Sequence, residues 1–219
     1  MQTIFNQNAL SEMEDRFRAR FINSLSGFKS ANLIGTVDSE GQENLSIVSS
    51  VFHLGANPPL MGFIIRPSSV ERHTLENILA TGVYTINSVT RPIAKQAHQT
   101  SARYPADVSE FRQTGLTPQY LDNHPAPFVE QSPLKIAMRL REHQTLAING
   151  TELIIGEIER VTLPSNAVRK DGYVDVESMQ IVCVSGLDSY HRTDMIHRLS
   201  YAKPDKVPQV LTRDGQQEC

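Results

Sequence analysis

Short apolar and β-branched segments recur along the chain, and turn signals separate them. Their roughly even spacing and the small number of helical patterns predict a mostly β barrel that carries helical insertions. The predicted strands cover residues 31–37, 44–54, 60–65, 83–89, 134–142, 152–163 and 180–185. Because a turn sequence over residues 38–41 joins the first two strands, these are expected to form a hairpin.

Helical patterns occupy the segments before and between these strands. Residues Ser11 to Glu14 match a capping box, and apolar side chains then recur at helical spacing until Gly27. A short helix is predicted over residues 74–80. Residues 91–123 combine mixed polarity with several helix breakers, which predicts an excursion from the sheet that contains one or two helices.

The domain division follows from this order of elements. We expect an N-terminal helical segment over residues 1–27 that packs on the barrel, a barrel domain over residues 28–202, and a polar C-terminal tail over residues 203–219. With 219 residues, 39% of them hydrophobic, the chain can bury a core without support from disulfides or a metal ion.

Charge and hydropathy restrict the partners of the protein. The formal net charge is −3, so the chain lacks the basic excess of nucleic-acid binders. No apolar run approaches the about 20 residues that cross a bilayer, and the first ten residues carry no export-signal pattern. We therefore expect a cytoplasmic protein with neither a nucleic-acid nor a membrane partner.

The sequence carries no motif of side-chain catalysis or of metal binding. Its seven histidines are scattered, and the two cysteines, Cys183 and Cys219, form no CxxC pair. It contains no GxSxG elbow, no GxGxxG loop and no Walker loop. The sequence therefore predicts no metal site and leaves the catalytic side chains unknown, which favours a function carried by a bound cofactor.

Hydrogen-bond donors cluster where the third predicted strand meets the next helix. They are Arg66, Ser68, Ser69, His73 and Thr74. Several donors and a fixed cation at the N-terminus of a helix suit a phosphate monoester. The alternative is that Ser69 or Thr74 only caps the helix and that Arg66 is a surface charge.

Hydroxyl side chains also recur along the second predicted strand. Alternation places Asn44, Ser46, Val48, Ser50 and Phe52 on one face and Leu45, Ile47, Ser49 and Val51 on the other. Because neither face is uniformly apolar, a flat heteroaromatic ring with polar edges would fit against this strand. The alternative is a half-exposed strand whose serines are solvated.

A series of short motifs extends these patterns along most of the chain. The motifs lie at residues 32–41, 44–46, 58–60, 66–67, 74–78, 81–82, 86–87, 110–111, 115–117, 126–130, 132–133, 156–158 and 186–190. In this order, across residues 25–202, they resemble the flavin reductase-like family of FMN-binding split barrels, which includes the flavoredoxins.

The resemblance implies a fold and a cofactor site. The expected fold is a six-stranded antiparallel split β-barrel, expected to form a homodimer with FMN held noncovalently near the subunit interface. The cofactor-binding residues that it predicts are Asn44, Ser46, Ser49, Ser50, Phe52, Arg66, Ser68, Ser69, His73, Thr74, Asn77 and Tyr190. Tyr190 would contact the flavin or serve packing alone. Residues 91–120 are expected to form a lid, with Arg103 and Tyr104 as substrate contacts.

The predicted function is that of an FMN-dependent oxidoreductase of the flavin reductase type. It would use NADH or NADPH to reduce flavin or another small acceptor by hydride transfer through FMN N5. Backbone N–H groups would stabilise the anionic cofactor, which would explain why no catalytic side chain is evident. The alternatives are a noncatalytic FMN-binding electron-transfer or flavin-carrier protein, and a barrel that oxidises a phosphorylated vitamer or binds haem.

Overall fold

The computed structural model of the chain describes residues 1–67 and 73–217 and confirms the mostly β class. The α-helices are α1 (Gln7–Ser11), α2 (Asp15–Leu25), α3 (His73–Thr81), α4 (Ala94–Gln99) and α5 (Glu110–Thr114), and 3₁₀ helices span Arg91–Ile93 and Ser165–Ala167. The strands are β1 (Lys29–Ser30), β2 (Asn32–Val37), β3 (Glu43–Val48), β4 (Phe52–Ala56), β5 (Pro59–Ile65), β6 (Val83–Ser88), β7 (Pro118–Gln119), β8 (Phe128–Val129), β9 (Lys135–Leu146), β10 (Thr151–Thr162), β11 (Cys183–Ser185), β12 (Ser189–His191), β13 (Arg198–Leu199) and β14 (Val210–Leu211).

Seven antiparallel strands form the main sheet, in the order β3-β2-β6-β9-β10-β5-β4. Its two edge strands, β3 and β4, follow each other in the chain and are separated only by residues 49–51. The chain therefore passes directly from one edge of the sheet to the other, and this step closes the sheet into a split barrel. The expected six strands become seven because the predicted strand over residues 44–54 is divided here.

We call the place where the two edge strands meet, at residues 49–51, the closure point of the barrel. Ser50 forms hydrogen bonds across it. Its Oγ accepts a hydrogen bond from the Ile64 N–H and donates one to the Ile64 carbonyl, both at 3.1 Å. Ile64 lies in β5, whose pairing with β4 places Phe52 opposite Gly62. The serine side chain therefore continues the β4–β5 ladder beyond the end of β4, in place of the backbone.

Hydrophobic clusters lie on both faces of the sheet. One cluster, inside the barrel, includes Ile34, Phe63, Tyr84, Met138 and Ile154. A second cluster, on the outer face, includes Leu33, Leu45, Val89, Phe111 and Val129. Neighbouring residues of β2 belong to different clusters, so this strand is buried on both faces. The excursion that carries Phe111 therefore covers the outer face of the sheet.

The N-terminal helix differs from its prediction at its start. Glu14, and not Ser11, is the N-cap of α2, and its carboxylate accepts a hydrogen bond from the Phe17 N–H at 2.9 Å. Ser11 ends the separate helix α1. The capping-box prediction is therefore wrong. No residue of α2 is buried, and Phe17 stacks on Phe21 with 6.2 Å between the ring centroids.

The C-terminal residues fold back onto the chain. Strands β13 and β14 form a hairpin, and Arg213 Nη1 lies 3.3 Å from Oδ2 of the fully buried Asp175. Arg169 Nη2 contacts the same oxygen at 2.5 Å. The segment over residues 203–219 was predicted as a polar tail, and its described part, which ends at residue 217, is anchored through Arg213.

Residues 1–67 and 73–217 contain neither a helix that could cross a membrane nor a cluster of metal ligands. The longest helix there, α2, has 11 residues, and no helix combines the length and the apolar character needed to cross a membrane. In the same residues, no group of three or more His, Cys, Asp or Glu side chains is arranged to hold a metal ion.

Candidate functional site

A cavity of about 820 Å³ lies beside the closure point of the barrel. Its wall is built mainly from the end of α2, strand β3 with residues 49–50, the β5–α3 junction, the end of α4 with residues 100–104, and β12. The volume falls within the range of about 300–1,000 Å³ that small-molecule and cofactor sites occupy. This cavity is therefore the candidate functional site.

Most of the residues predicted for a site line this cavity. They are Ser46, Ser49, Ser50, Arg66, His73, Thr74 and Tyr190, together with the two predicted substrate contacts Arg103 and Tyr104. The fold thus brings the hydroxyl-rich strand and the strand–helix junction, two separate patterns in the sequence, to one place. Ser68 and Ser69 lie outside the described residues.

Asn44 and Asn77 lie behind the cavity wall. Both side chains are buried, and each donates through Nδ2 to Thr36 Oγ1, at 3.2 and 3.1 Å respectively. Asn44 Nδ2 also donates to Thr74 Oγ1 at 2.9 Å. Asn44 therefore contacts the cavity-lining residue Thr74 directly. Asn77 is linked to Asn44 through their shared acceptor, Thr36.

The hydroxyl oxygens of Ser46 and Thr74 form a pair on the cavity wall, 2.8 Å apart. Thr74 Oγ1 already accepts a hydrogen bond from Asn44, which as an amide nitrogen can only donate. The two hydroxyl groups carry one hydrogen each, and one of these hydrogens forms the hydrogen bond between the two oxygens. The other hydrogen has no acceptor among the described residues and can donate to a ligand in the cavity.

Phe52 is outside the cavity lining, on the edge strand β4, two residues beyond Ser50. Its side chain is 39% exposed, and its ring covers Gly62, where a Cβ atom would lie 2.5 Å from the ring. The alternation in the sequence places Phe52 on the face of Ser46, but the break at residues 49–51 resets that alternation. The Phe52 ring therefore packs on Gly62 and does not line the cavity with the other predicted residues.

The described lining of the cavity is predominantly basic. Its cationic or titratable basic side chains belong to Lys29, Arg66, His73, His98 and Arg103, and its carboxyl group belongs to Glu110. Lys29 Nζ donates to the carbonyls of Asn23 and Gly186, both at 3.0 Å, and so ties the end of α2 to the β11–β12 turn. The excess of basic groups suits the cavity to an anionic ligand.

Glu110 is a buried carboxyl group that the site prediction missed. Its Oε2 accepts a hydrogen bond from the Leu45 N–H at 2.9 Å, which satisfies the outward edge of strand β3. Burial raises the pKa of Glu110, and the Leu45 N–H and the nearby His73 oppose that rise. The contact joins residues 65 positions apart, so no local pattern in the sequence could reveal it.

Two tyrosines on the cavity wall are held by neighbouring residues at the end of α4. His98 Nδ1 lies 3.1 Å from Tyr190 Oη, and Gln99 Nε2 donates to Tyr104 Oη at 2.9 Å. The site prediction missed His98 and Gln99, because single polar residues at the end of a short helix carry no signature.

Comparison with known proteins identifies the family. Residues 25–179 match the sequence model of the Flavin reductase like domain. A crystal structure of a split-barrel protein from Shewanella frigidimarina NCIMB 400, described as an inferred flavin reductase, is 59% identical in sequence. It superposes with a TM-score of 0.89, over 92% of this chain and 100% of that chain. The present chain belongs to the flavin reductase-like family.

More distant proteins share the fold. The crystal structure of nitrilotriacetate monooxygenase component B from Bacillus cereus is 20% identical and has a TM-score of 0.79, over 91% of this chain and 98% of that chain. An uncharacterised protein of Aquifex aeolicus is 22% identical over 126 residues, which cover 57% of this chain and 63% of its own length.

Proposed function

We propose that this chain is a cytoplasmic FMN-binding oxidoreductase that uses NADH or NADPH to reduce flavin or another small acceptor. FMN, held noncovalently in the cavity, would supply a redox centre that accepts a hydride at N5. The observation that carries the proposal is that the Ser46–Thr74 hydroxyl pair and Arg66 line one cavity of cofactor size within a flavin reductase-like chain.

The β5–α3 junction supplies the groups that a phosphate monoester requires. Arg66 offers a guanidinium group, and the Ser46–Thr74 pair offers one hydroxyl hydrogen. Thr74 lies in the first turn of α3, where the partial positive charge of the helix favours an anion. We infer that this junction holds the terminal phosphate of FMN, with His73 beside it.

The remaining wall suits a flat ring with polar edges. Ile47, Val48 and Ser49 line the cavity along β3 and its end, and Tyr190 lines it from β12. Apolar surface with a few polar groups is typical of cofactor sites. We propose that residues 100–104 belong to the lid, with Arg103 directed at the substrate.

A homodimer is part of the proposal. Apolar side chains are exposed along and just after α2, whose Ile22 also lines the cavity: Ile22 is 46% exposed, Leu25 65% and Phe28 68%. A second copy that covers these side chains would complete the cavity wall, which supports a cofactor site near the subunit interface. Light scattering coupled to size-exclusion chromatography would give the mass of the dimer or of the monomer and decide this point.

The absorbance spectrum of the purified protein, followed by anaerobic mixing with NADH and with NADPH, tests the function. We expect flavin bands in the visible region, one FMN per chain after saturation, and bleaching of those bands by at least one of the two nucleotides. A colourless protein that binds no added FMN would contradict the proposal.

The same experiment separates the enzyme from its rivals. FMN that binds but is bleached by neither nucleotide would favour a flavin carrier or an electron-transfer protein. A haem spectrum, or turnover of a phosphorylated vitamer without nicotinamide cofactor, would favour the other barrel functions.

A further inference from the structure

A tyrosine–histidine pair lies on the part of the cavity wall built by β12 and α4. Tyr190 Oη and His98 Nδ1 are 3.1 Å apart, and the two rings are nearly perpendicular, with 86° between their planes and 5.7 Å between their centroids. Both residues line the cavity. The phenol and the imidazole are therefore joined by a hydrogen bond at a place that a ligand can reach.

The two partners differ in their contact with solvent. Tyr190 is half-buried, and burial, together with the charge of Asp188, raises the pKa of its phenol. Its hydroxyl therefore keeps its proton at neutral pH. His98 is exposed near the end of α4, so its imidazole is in contact with water. The phenol of Tyr190 therefore lies on the cavity wall, and the imidazole of His98, its hydrogen-bond partner, contacts the solvent.

Tyr104, which also lines the cavity, gives a natural comparison. Its hydroxyl oxygen accepts a hydrogen bond from the amide of Gln99, the residue after His98. An amide cannot take up and return a proton in this pH range, whereas an imidazole can. Of the two tyrosines, only Tyr190 therefore has a hydrogen-bond partner that can restore a proton it has lost.

We infer that Tyr190 is a catalytic residue that donates a proton to the substrate reduced in this cavity, and that His98 restores that proton. The inference rests on the proposed function, in which NADH or NADPH is the reductant. A two-electron acceptor gains one hydride originating from the nucleotide at one atom and the Tyr190 Oη proton at another. As the phenolate takes the Nδ1 proton of His98, His98 Nε2 takes a proton from water, and the hydroxide ion that remains is neutralised by the buffer. Proton exchange with the solvent then returns the imidazole to its Nδ1–H form.

This chemistry defines the class of acceptor. The relay serves a small organic molecule that takes up a hydride and a proton together, such as a quinone. It should not change the rate at which an acceptor that takes single electrons and no proton, such as ferricyanide, is reduced. The ratio of the two turnover rates is therefore the quantity that the relay controls.

The test uses the FMN-loaded protein with menadione and with ferricyanide as acceptors. In Tyr190→Phe, which keeps the ring but loses the hydroxyl, we expect the menadione-to-ferricyanide ratio of kcat to fall by at least about tenfold, with loss of the solvent deuterium isotope effect on menadione turnover. His98→Ala should show a similar fall that added imidazole partly reverses. Tyr104→Phe should keep the isotope effect and change KM more than kcat. An unchanged ratio in Tyr190→Phe would overturn the inference.

A second measurement needs neither FMN nor turnover. Long-range ¹H–¹⁵N NMR of the apoprotein should show the hydrogen of His98 on Nδ1, and Tyr190→Phe should abolish that preference. A hydrogen found only on Nε2 would overturn the relay even if FMN binds. If wild-type protein binds no FMN, the proposed function and the catalytic role of Tyr190 both fail, whatever the tautomer; if FMN binds and the ratio is unchanged, only the relay fails.

Discussion

Ser46 Oγ lies 2.8 Å from Thr74 Oγ1, although the two residues are 28 positions apart and belong to a strand and a helix. Behind them, the amides of Asn44 and Asn77 both donate to the hydroxyl oxygen of Thr36, which is fully buried. These buried bonds fix the orientation of Thr74 before any ligand arrives. The cavity therefore presents a hydroxyl donor in a fixed position at the end where we place the phosphate.

Thr74→Val tests the role of this donor, because valine keeps the branched shape and loses the hydroxyl. We expect the affinity for FMN to fall by about 1.5–3 kcal/mol, the usual value of a hydrogen bond to a charged group, measured by fluorescence titration. Thr81→Val is the matched control, since the Thr81 hydroxyl donates to the Asn77 carbonyl within α3, away from the cavity lining. Equal FMN affinities for Thr74→Val and wild type would remove Thr74 from the site.

Ser50→Ala tests the closure of the barrel. The substitution removes both hydrogen bonds to Ile64, so the free energy of unfolding of the apoprotein should fall by about 1–2 kcal/mol in urea. Ser49→Ala is the control, because the Ser49 hydroxyl lines the cavity and makes no hydrogen bond within the described part of the chain. A loss of the same size in both variants would show that the Ser50 bonds do not hold the closure.

Glu110 predicts a pH dependence of stability. Its pKa is raised in the folded state, so the folded protein favours the protonated acid. The contribution of Glu110 to stability should fall as the pH rises from the unfolded value of about 4.3 through the raised folded value. Glu110→Gln, which can still accept the Leu45 N–H, should match wild type at low pH and be at least as stable at pH 7.

Glu110→Leu separates this charge effect from the hydrogen bond. It leaves the Leu45 N–H without its partner, so we expect the Glu110→Leu apoprotein to be about 1–3 kcal/mol less stable than Glu110→Gln at all pH values. Urea unfolding between pH 4 and pH 8 measures both variants. A Glu110→Gln protein that loses stability relative to wild type as the pH rises would contradict the raised pKa.

Tyr84 and Gly156 form a tight contact in the barrel core. Tyr84 is fully buried, its hydroxyl has no hydrogen-bond partner among the described residues, and a Cβ at position 156 would overlap it. Tyr84→Phe should therefore be neutral or stabilising, and Gly156→Ala should destabilise by about 1–3 kcal/mol. In the double variant the loss of unfolding free energy should be smaller than in Gly156→Ala alone. If the changes in unfolding free energy measured in urea are strictly additive, the two positions do not interact.

The sequence predicted the donor-rich junction at Arg66 and Thr74 because those groups lie close together along the chain. The strand over residues 44–54 was predicted as continuous, since its composition stays β-like through the break that closes the barrel. Because of that break, Phe52 does not share the cavity lining with Ser46, as the alternation along an unbroken strand predicts. Contacts such as Tyr190 with His98, which are 92 positions apart, follow from the folded barrel and leave no local pattern.

The affinity of wild-type protein and of Arg66→Ala for FMN and for riboflavin, which lacks the phosphate, tests the central claim most directly. We predict that Arg66→Ala loses about 1.5–3 kcal/mol of FMN binding, through the loss of a charge-assisted hydrogen bond, and that its affinity for riboflavin stays close to that of wild type. Equal losses for the two ligands, or no loss for FMN, would contradict a phosphate site at the junction of β5 and α3.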